Sequence, residues 1–68
     1  MRMLKEVVLL PDELEAIKLH DIDGLEQIES SRKMRISQST FARILDSAYK
    51  KMVEAIIKGK AIKIEKKQ

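Results

Sequence analysis

The chain has 68 residues, no Cys, 3% aromatic residues and a formal net charge of +3, which excludes disulfides and thiolate metal sites and leaves few rings for stacking unpaired bases. No apolar run approaches the roughly 18–20 residues of a membrane span, and Met1-Arg-Met-Leu-Lys-Glu6 does not read as a signal peptide. A single small domain is expected over residues 1–68, in a reducing cytoplasm, with oligomerisation as the natural aid to a limited core.

The charge is strongly divided. Residues 1–30 set Arg2, Lys5 and Lys18 against eight acids, a net of −5, while residues 31–68 set eleven Lys and Arg against Asp46, Glu54 and Glu65, a net of +8. That polarity points the C-terminal half toward a polyanion, and the scarcity of aromatics favours duplex DNA over single strands.

Taken in order, residues 3–9 are rich in β-formers and stop before Pro11, which predicts a short strand. Pro11 suits the first position of a helix over 11–21. Asp12, Glu13 and Glu15 favour its positive end, Leu14, Ala16, Ile17 and Leu19 make its apolar side, and Asp23-Gly24 signals a turn. A short helix over 26–34 has poor periodicity, with Ser30 and Ser31 where a packed helix wants small or apolar groups. From Gln38 the pattern is strongly helical to Lys58: Ser37 is an N-cap able to accept from the N–H of Ser39 or Thr40, and Gly59 is a C-terminal stop. This third helix would be about 31 Å long. Residues 61–65 alternate as a half-buried strand. Two isolated strands at opposite ends of a sequence must pair with each other or with copies in a second subunit. The expected class is mostly α, a three-helix helix-turn-helix domain with short terminal strands and a long third helix.

A helix ending near Met34, a three-residue turn and a helix capped by Ser37 match the spacing of a helix-turn-helix, whose second helix enters the major groove N-terminus first. Phe41, Ile44, Leu45 and Ala48 then face inward, and Gln38, Ser39, Ala42 and Arg43 face the bases. Gln38 suits adenine and Arg43 guanine. Ser37 and Thr40, with the first N–H groups of the helix, can hold a phosphate, and Arg32, Lys33, Arg35, Lys50 and Lys51 can reach flanking phosphates. Asp46 is expected to pair with Lys50 at i,i+4. Beyond Lys50, Met52, Val53, Ala55, Ile56 and Ile57 make a broad apolar face. With Ile62 and Ile64 it is the expected homodimer interface, unless the terminal strands cover it within one chain.

The chain also resembles a small, functionally uncharacterised prokaryotic family of predicted DNA-binding proteins, related to the helix-turn-helix of sigma-factor region four. The stretches that carry the likeness are Glu6-Val-Val-Leu-Leu-Pro-Asp-Glu-Leu-Glu-Ala-Ile-Lys-Leu19, Asp23-Gly-Leu25, Met34-Arg-Ile-Ser-Gln-Ser-Thr-Phe-Ala-Arg-Ile-Leu-Asp-Ser-Ala48 and Gly59-Lys-Ala-Ile-Lys-Ile-Glu65. The resemblance implies a helical DNA-reading unit with a regulatory role and no enzymatic activity. Two departures stand out. Such proteins usually have a small pair, often alanines, where this chain has Ser30-Ser31, and a turn glycine where it has Arg35; a left-handed Arg35 would carry about 1 kcal/mol of strain.

No other chemistry competes. His20 reads as a surface or capping residue. Asp21-Ile-Asp-Gly24 lacks the further acids of a calcium loop. The Ser and Thr hydroxyls have no nearby base in sequence, and no cofactor, metal or small-molecule ligand is implied. The expectation is a sequence-specific duplex-DNA regulator; the alternative is a helical interaction or dimerisation module that binds no DNA.

Overall fold

The computed structural model describes residues 5–65. A strand β1 (Glu6–Leu9) leads into helix α1 (Pro11–Ile17), a π-helical turn (Lys18–Ile22), helix α2 (Gln27–Met34), the long helix α3 (Gln38–Lys58) and strand β2 (Ala61–Ile64). The chain is therefore mostly helical, with three α-helices and a short strand at each end. The helical spans fall close to those the pattern predicts. Of the strand expected over 3–9, residues 3 and 4 lie outside the described residues.

β1 and β2 pair with each other, in parallel, Val7 beside Ile62 and Leu9 beside Ile64. The whole helical part of the chain is the crossover that a parallel pair demands. The ladder is extended past both strands, by the Ala61 N–H to the Lys5 carbonyl (2.9 Å) and the Glu65 N–H to the Leu9 carbonyl (3.0 Å). Val7 and Leu9 are buried and pack toward α3. Ile62 and Ile64, beside them in register, remain about half exposed at the sheet edge.

α3 is the axis on which the other elements pack: α1, α2 and β1 all lie against it. Its inward residues Phe41, Leu45, Ala48 and Ala55 are buried at i, i+4, i+7 and i+14, the helical period the sequence shows. Phe41, Leu45 and Ala16 form the centre of the core, surrounded by the partly buried Ile17, Met34, Ile36, Ile44 and Tyr49. α2 meets this core with Ser30 and Ser31. Small side chains let the helix approach closely, at a polar cost: Ser31 donates to the Ile28 carbonyl at 2.8 Å, whereas the fully buried Ser30 hydroxyl has no partner.

The helix expected over 11–21 changes character halfway. After Ile17 the backbone widens, and the Asp23 N–H reaches back five residues to the Lys18 carbonyl at 2.9 Å. The widened turn keeps Leu19 buried and lets His20 Nδ1–H donate to the Leu25 carbonyl at 2.7 Å, its ring edge-on to Phe41 with centroids 6.4 Å apart. His20 is thus a capping residue on a core aromatic. Asp21 accepts from the Tyr49 hydroxyl and Asp23 pairs with Lys18 at 3.0 Å, so both acids of this turn serve the fold. Burial first, and then the hydrogen bond to Asp21, push the Tyr49 phenol up to about 12.

Candidate nucleic-acid interface

The junction of α2 and α3 is made by local chemistry. Arg35 adopts the left-handed conformation, φ 60° and ψ 43°, and is the only described non-glycine residue with positive φ. With it there, the Arg35 N–H reaches the Arg32 carbonyl and the Ile36 N–H reaches the Ser31 carbonyl, both at 3.0 Å. These two bonds close α2 in a Schellman arrangement, where glycine is the usual residue. Two residues later Ser37 caps α3: its hydroxyl accepts from the Thr40 N–H at 3.1 Å and donates to the Thr40 hydroxyl at 2.8 Å. Arg35→Gly is expected to raise the urea midpoint by an amount worth up to about 1 kcal/mol, since relief of left-handed strain exceeds the added freedom of the unfolded chain. A lower midpoint would mean that the arginine stem packs favourably at this turn.

The N-terminal end of α3 that this turn presents is open. Gln38, Ser39, Ala42 and Arg43 are all exposed, as are Arg32, Lys33, Arg35 and Ser37, while Thr40 is half-buried. Over residues 30–45 the chain carries four cations and no acid. None of the ion pairs among the described residues involves these four arginine and lysine side chains, so their charge is available to a ligand. An exposed acid does lie close: Asp12 shares a shallow groove with Leu10, Glu13, Thr40, Arg43, Ile44 and Ser47.

Two expected phosphate contacts have different surroundings. Lys50 is exposed on the same side of α3 and pairs with Asp46 at 3.2 Å, an exposed i,i+4 pair of small energetic weight. Lys51, by contrast, turns inward. Its ammonium donates to the Val8 carbonyl at 2.7 Å and to Glu13 Oε1 at 2.9 Å. The expectation of a phosphate anchor is corrected at this position, because position 51 faces β1 and α1.

Glu13 stands in the first turn of α1, as its position implies, and it is also a buried carboxylate, 4% exposed. Oε1 accepts the Leu10 N–H at 2.8 Å and the Lys51 ammonium, and Oε2 accepts the Ser47 hydroxyl at 2.7 Å. Burial alone would raise its pKa. The Leu10 N–H, the Ser47 hydroxyl and the Lys51 charge overcome that and hold the carboxyl below its ordinary 4.5. The only sequence signal for this cluster is Glu13 three residues after Leu10, as in half of a capping box.

Of the expected interface residues, Val53, Ile56 and Ile57 are 55%, 77% and 76% exposed. Met52 is half-buried. The terminal strands pair within one chain yet leave these α3 side chains uncovered. No helix among the described residues is long and apolar enough to cross a membrane.

Among curated proteins, the chain is 51% identical over 65 residues to a UPF0251 protein of Thermoanaerobacter pseudethanolicus, covering 96% of this chain and 55% of that one. It is 52% identical over 62 residues to a UPF0251 protein of Prosthecochloris aestuarii, covering 91% of this chain and 40% of the relative. A UPF0251 protein of Moorella thermoacetica is 51% identical over 65 residues, 96% of this chain and 44% of that one. The chain spans about half the length of the curated relatives it matches. No solved structure matches it. A family model described as "Protein of unknown function DUF134" matches residues 2–67, and the chain belongs to that family.

Proposed function

We propose that the chain binds duplex DNA through a helix-turn-helix made of α2, the turn at 35–37 and α3, and that it acts as a sequence-specific regulator of transcription. The observation that carries this reading is the open N-terminal end of α3, where residues 30–45 carry four cations and no acid of their own. Four side chains of the right kinds stand exposed on the first turns of α3, with cations outside the ion pairs of the described residues on the helix and turn before it.

The division of labour follows from position. Gln38 and Arg43 carry the donor geometries for adenine and guanine in the major groove, and Ser39 and Ala42 lie between them. Arg32, Lys33, Arg35 and Lys50 neutralise phosphates. Ser37 and Thr40 already bond each other, so they orient the helix start and meet a phosphate with their remaining capacity. A sigma-factor region four relationship agrees with this arrangement of helices, and a duplex-DNA reader of this kind works in the cytoplasm.

Selection of bound duplexes from a random pool tests the reading directly. On the enriched site, Arg43→Ala is expected to cost about 1–3 kcal/mol and relax one base preference. Lys50→Ala should weaken all sequences alike and reduce the salt slope by about one unit. Retention that is indifferent to salt and to both substitutions would reject DNA binding and leave an interaction module acting through the apolar face of α3.

A further inference from the structure

The acids of the chain are unevenly employed. Glu13, Asp21, Asp23, Asp46 and Glu54 each hold a cation or a hydroxyl. Glu6, Asp12, Glu15, Glu26, Glu29 and Glu65 enter no ion pair or side-chain hydrogen bond among the described residues. Three of these, Asp12, Glu15 and Glu65, line one groove. It lies where the start of α1 faces the end of α2, the turn after it and the side of α3. Its floor is Pro11, Leu14, Met34, Ile36 and Ile44, all half-buried. Met34, Ile36 and Ile44 pack on the core beneath, so that floor is held in place. The exposed side chains around it are the three acids and Lys33.

We propose that this groove binds a small organic amine, its ammonium held by Asp12 and Glu15 and its flat or branched apolar body laid on the floor. The volume of about 660 Å³ is that of a small-ligand site, roughly 300–1,000 Å³. Charge selects the sign: three carboxylates face a single ammonium here, on a chain whose overall charge is +3. Asp12 and Glu15 stand three apart on α1, on one side of the helix, where they can share one cation. Glu65 comes from the far end of the chain and is brought alongside by the bond from its N–H to the Leu9 carbonyl, 3.0 Å. The body of the ligand follows from the floor. No three acids among the described residues are grouped to hold a metal ion, and a bare cation would leave the apolar floor in water. A purely apolar ligand would make no use of the carboxylates. An amine on an apolar ring or branched chain satisfies both.

The position gives such a ligand something to act on. Met34 and Ile36 flank Arg35, whose left-handed backbone makes the turn between α2 and α3. A body resting on both and on Leu14 braces that turn against α1. Gln38, Ser39, Ala42 and Arg43 do not line the groove, so occupancy leaves them uncovered.

Two probes with one ring system and opposite charge test the site: tryptamine and indole-3-acetate, titrated into the isotope-labelled full chain at neutral pH and low salt. Amide shifts at Met34, Arg35, Ile36 and Ile44 are expected to saturate with tryptamine at a dissociation constant on the order of 1 mM, as suits a ligand of about twelve non-hydrogen atoms. Indole-3-acetate should bind at least about tenfold more weakly. Asp12→Asn with Glu15→Gln, both at exposed positions, should weaken tryptamine about fivefold. The same change should leave indole-3-acetate no weaker than before, which a loss of folding would not do. Absence of saturable tryptamine binding at these amides overturns the proposal. So does equal binding of the two probes, or a tryptamine affinity that survives the double substitution. No nucleic acid enters the titration, so its outcome is independent of the DNA-reading proposal.

Discussion

Phe41→Ala is expected to be severely destabilising. Phe41 is fully buried and sits where α1, α2 and α3 converge, against Ala16 and Leu45 and within the ring of Ile17, Met34, Ile36, Ile44 and Tyr49. Truncating a buried Phe costs about 3–5 kcal/mol through lost transfer energy and the cavity left behind. A chain of this length has a total stability of about 3–10 kcal/mol, so one substitution removes about a third of it at the upper end of that range and all of it at the lower. His20 adds to the loss, since its ring stands edge-on to Phe41 while its Nδ1–H caps the Leu25 carbonyl. Phe41→Leu keeps an apolar side chain of similar bulk, and its cost should be about 1–1.5 kcal/mol. Circular dichroism during urea titration distinguishes these outcomes. A cooperative transition in the alanine variant, within about 1 kcal/mol of the parent, would show that the core lies elsewhere.

The second large effect is expected at the Glu13–Lys51 contact. Glu13→Gln leaves an amide among donors arranged for a carboxylate: the Leu10 N–H, the Ser47 hydroxyl and the Lys51 ammonium. Loss of the charge should cost about 2–3 kcal/mol at pH 7, less than for a fully buried pair because Lys51 keeps a path to water. Replacing both residues, Glu13→Leu with Lys51→Met, should recover part of that cost, since neither partner is then left unpaired. The acid response follows from the direction of the shift. The folded carboxyl titrates below 4.5, so its contribution is fully present above that ordinary value. It is lost as pH falls through 4.5 toward the folded-state pKa. Unfolding free energy measured from pH 6 down to pH 3 should therefore fall more steeply in the parent than in Glu13→Gln. Equal slopes would assign the acid sensitivity to other carboxylates.

These two sites divide sharply in how far they can be read from sequence. Phe41 stands in an i, i+3, i+4, i+7 pattern with Ile44, Leu45 and Ala48, and helical period alone turns it inward. Lys51 lies on the same helix but departs from the usual rule that a lysine faces water. Its partners are the Val8 carbonyl and Glu13, 43 and 38 residues earlier in the chain. No local pattern carries that information. The same holds for Ser30 and Ser31, which weaken the apolar period of α2 because their burial depends on how closely it approaches α3. The candidate reading end was legible, because exposure there is the complement of the same period, and the Ser37 cap marks where the helix begins.

What the sequence determined by itself were the features set by neighbours a few residues apart. Pro11 and Ser37 start helices, Gly59 ends one, and α3 keeps one buried side over 21 residues. Backbone sterics and helical period act over one or two turns, so residue type and spacing are enough. The tertiary structure alone decided the parallel pairing of strands some 55 residues apart, the widened turn at Lys18–Ile22 and the inward use of Lys51. Each of these is chosen by which surfaces meet once the helices pack. The exposed face of α3 lies between the two: its composition is written in the sequence, and its freedom follows from where α1, α2 and the sheet come to rest.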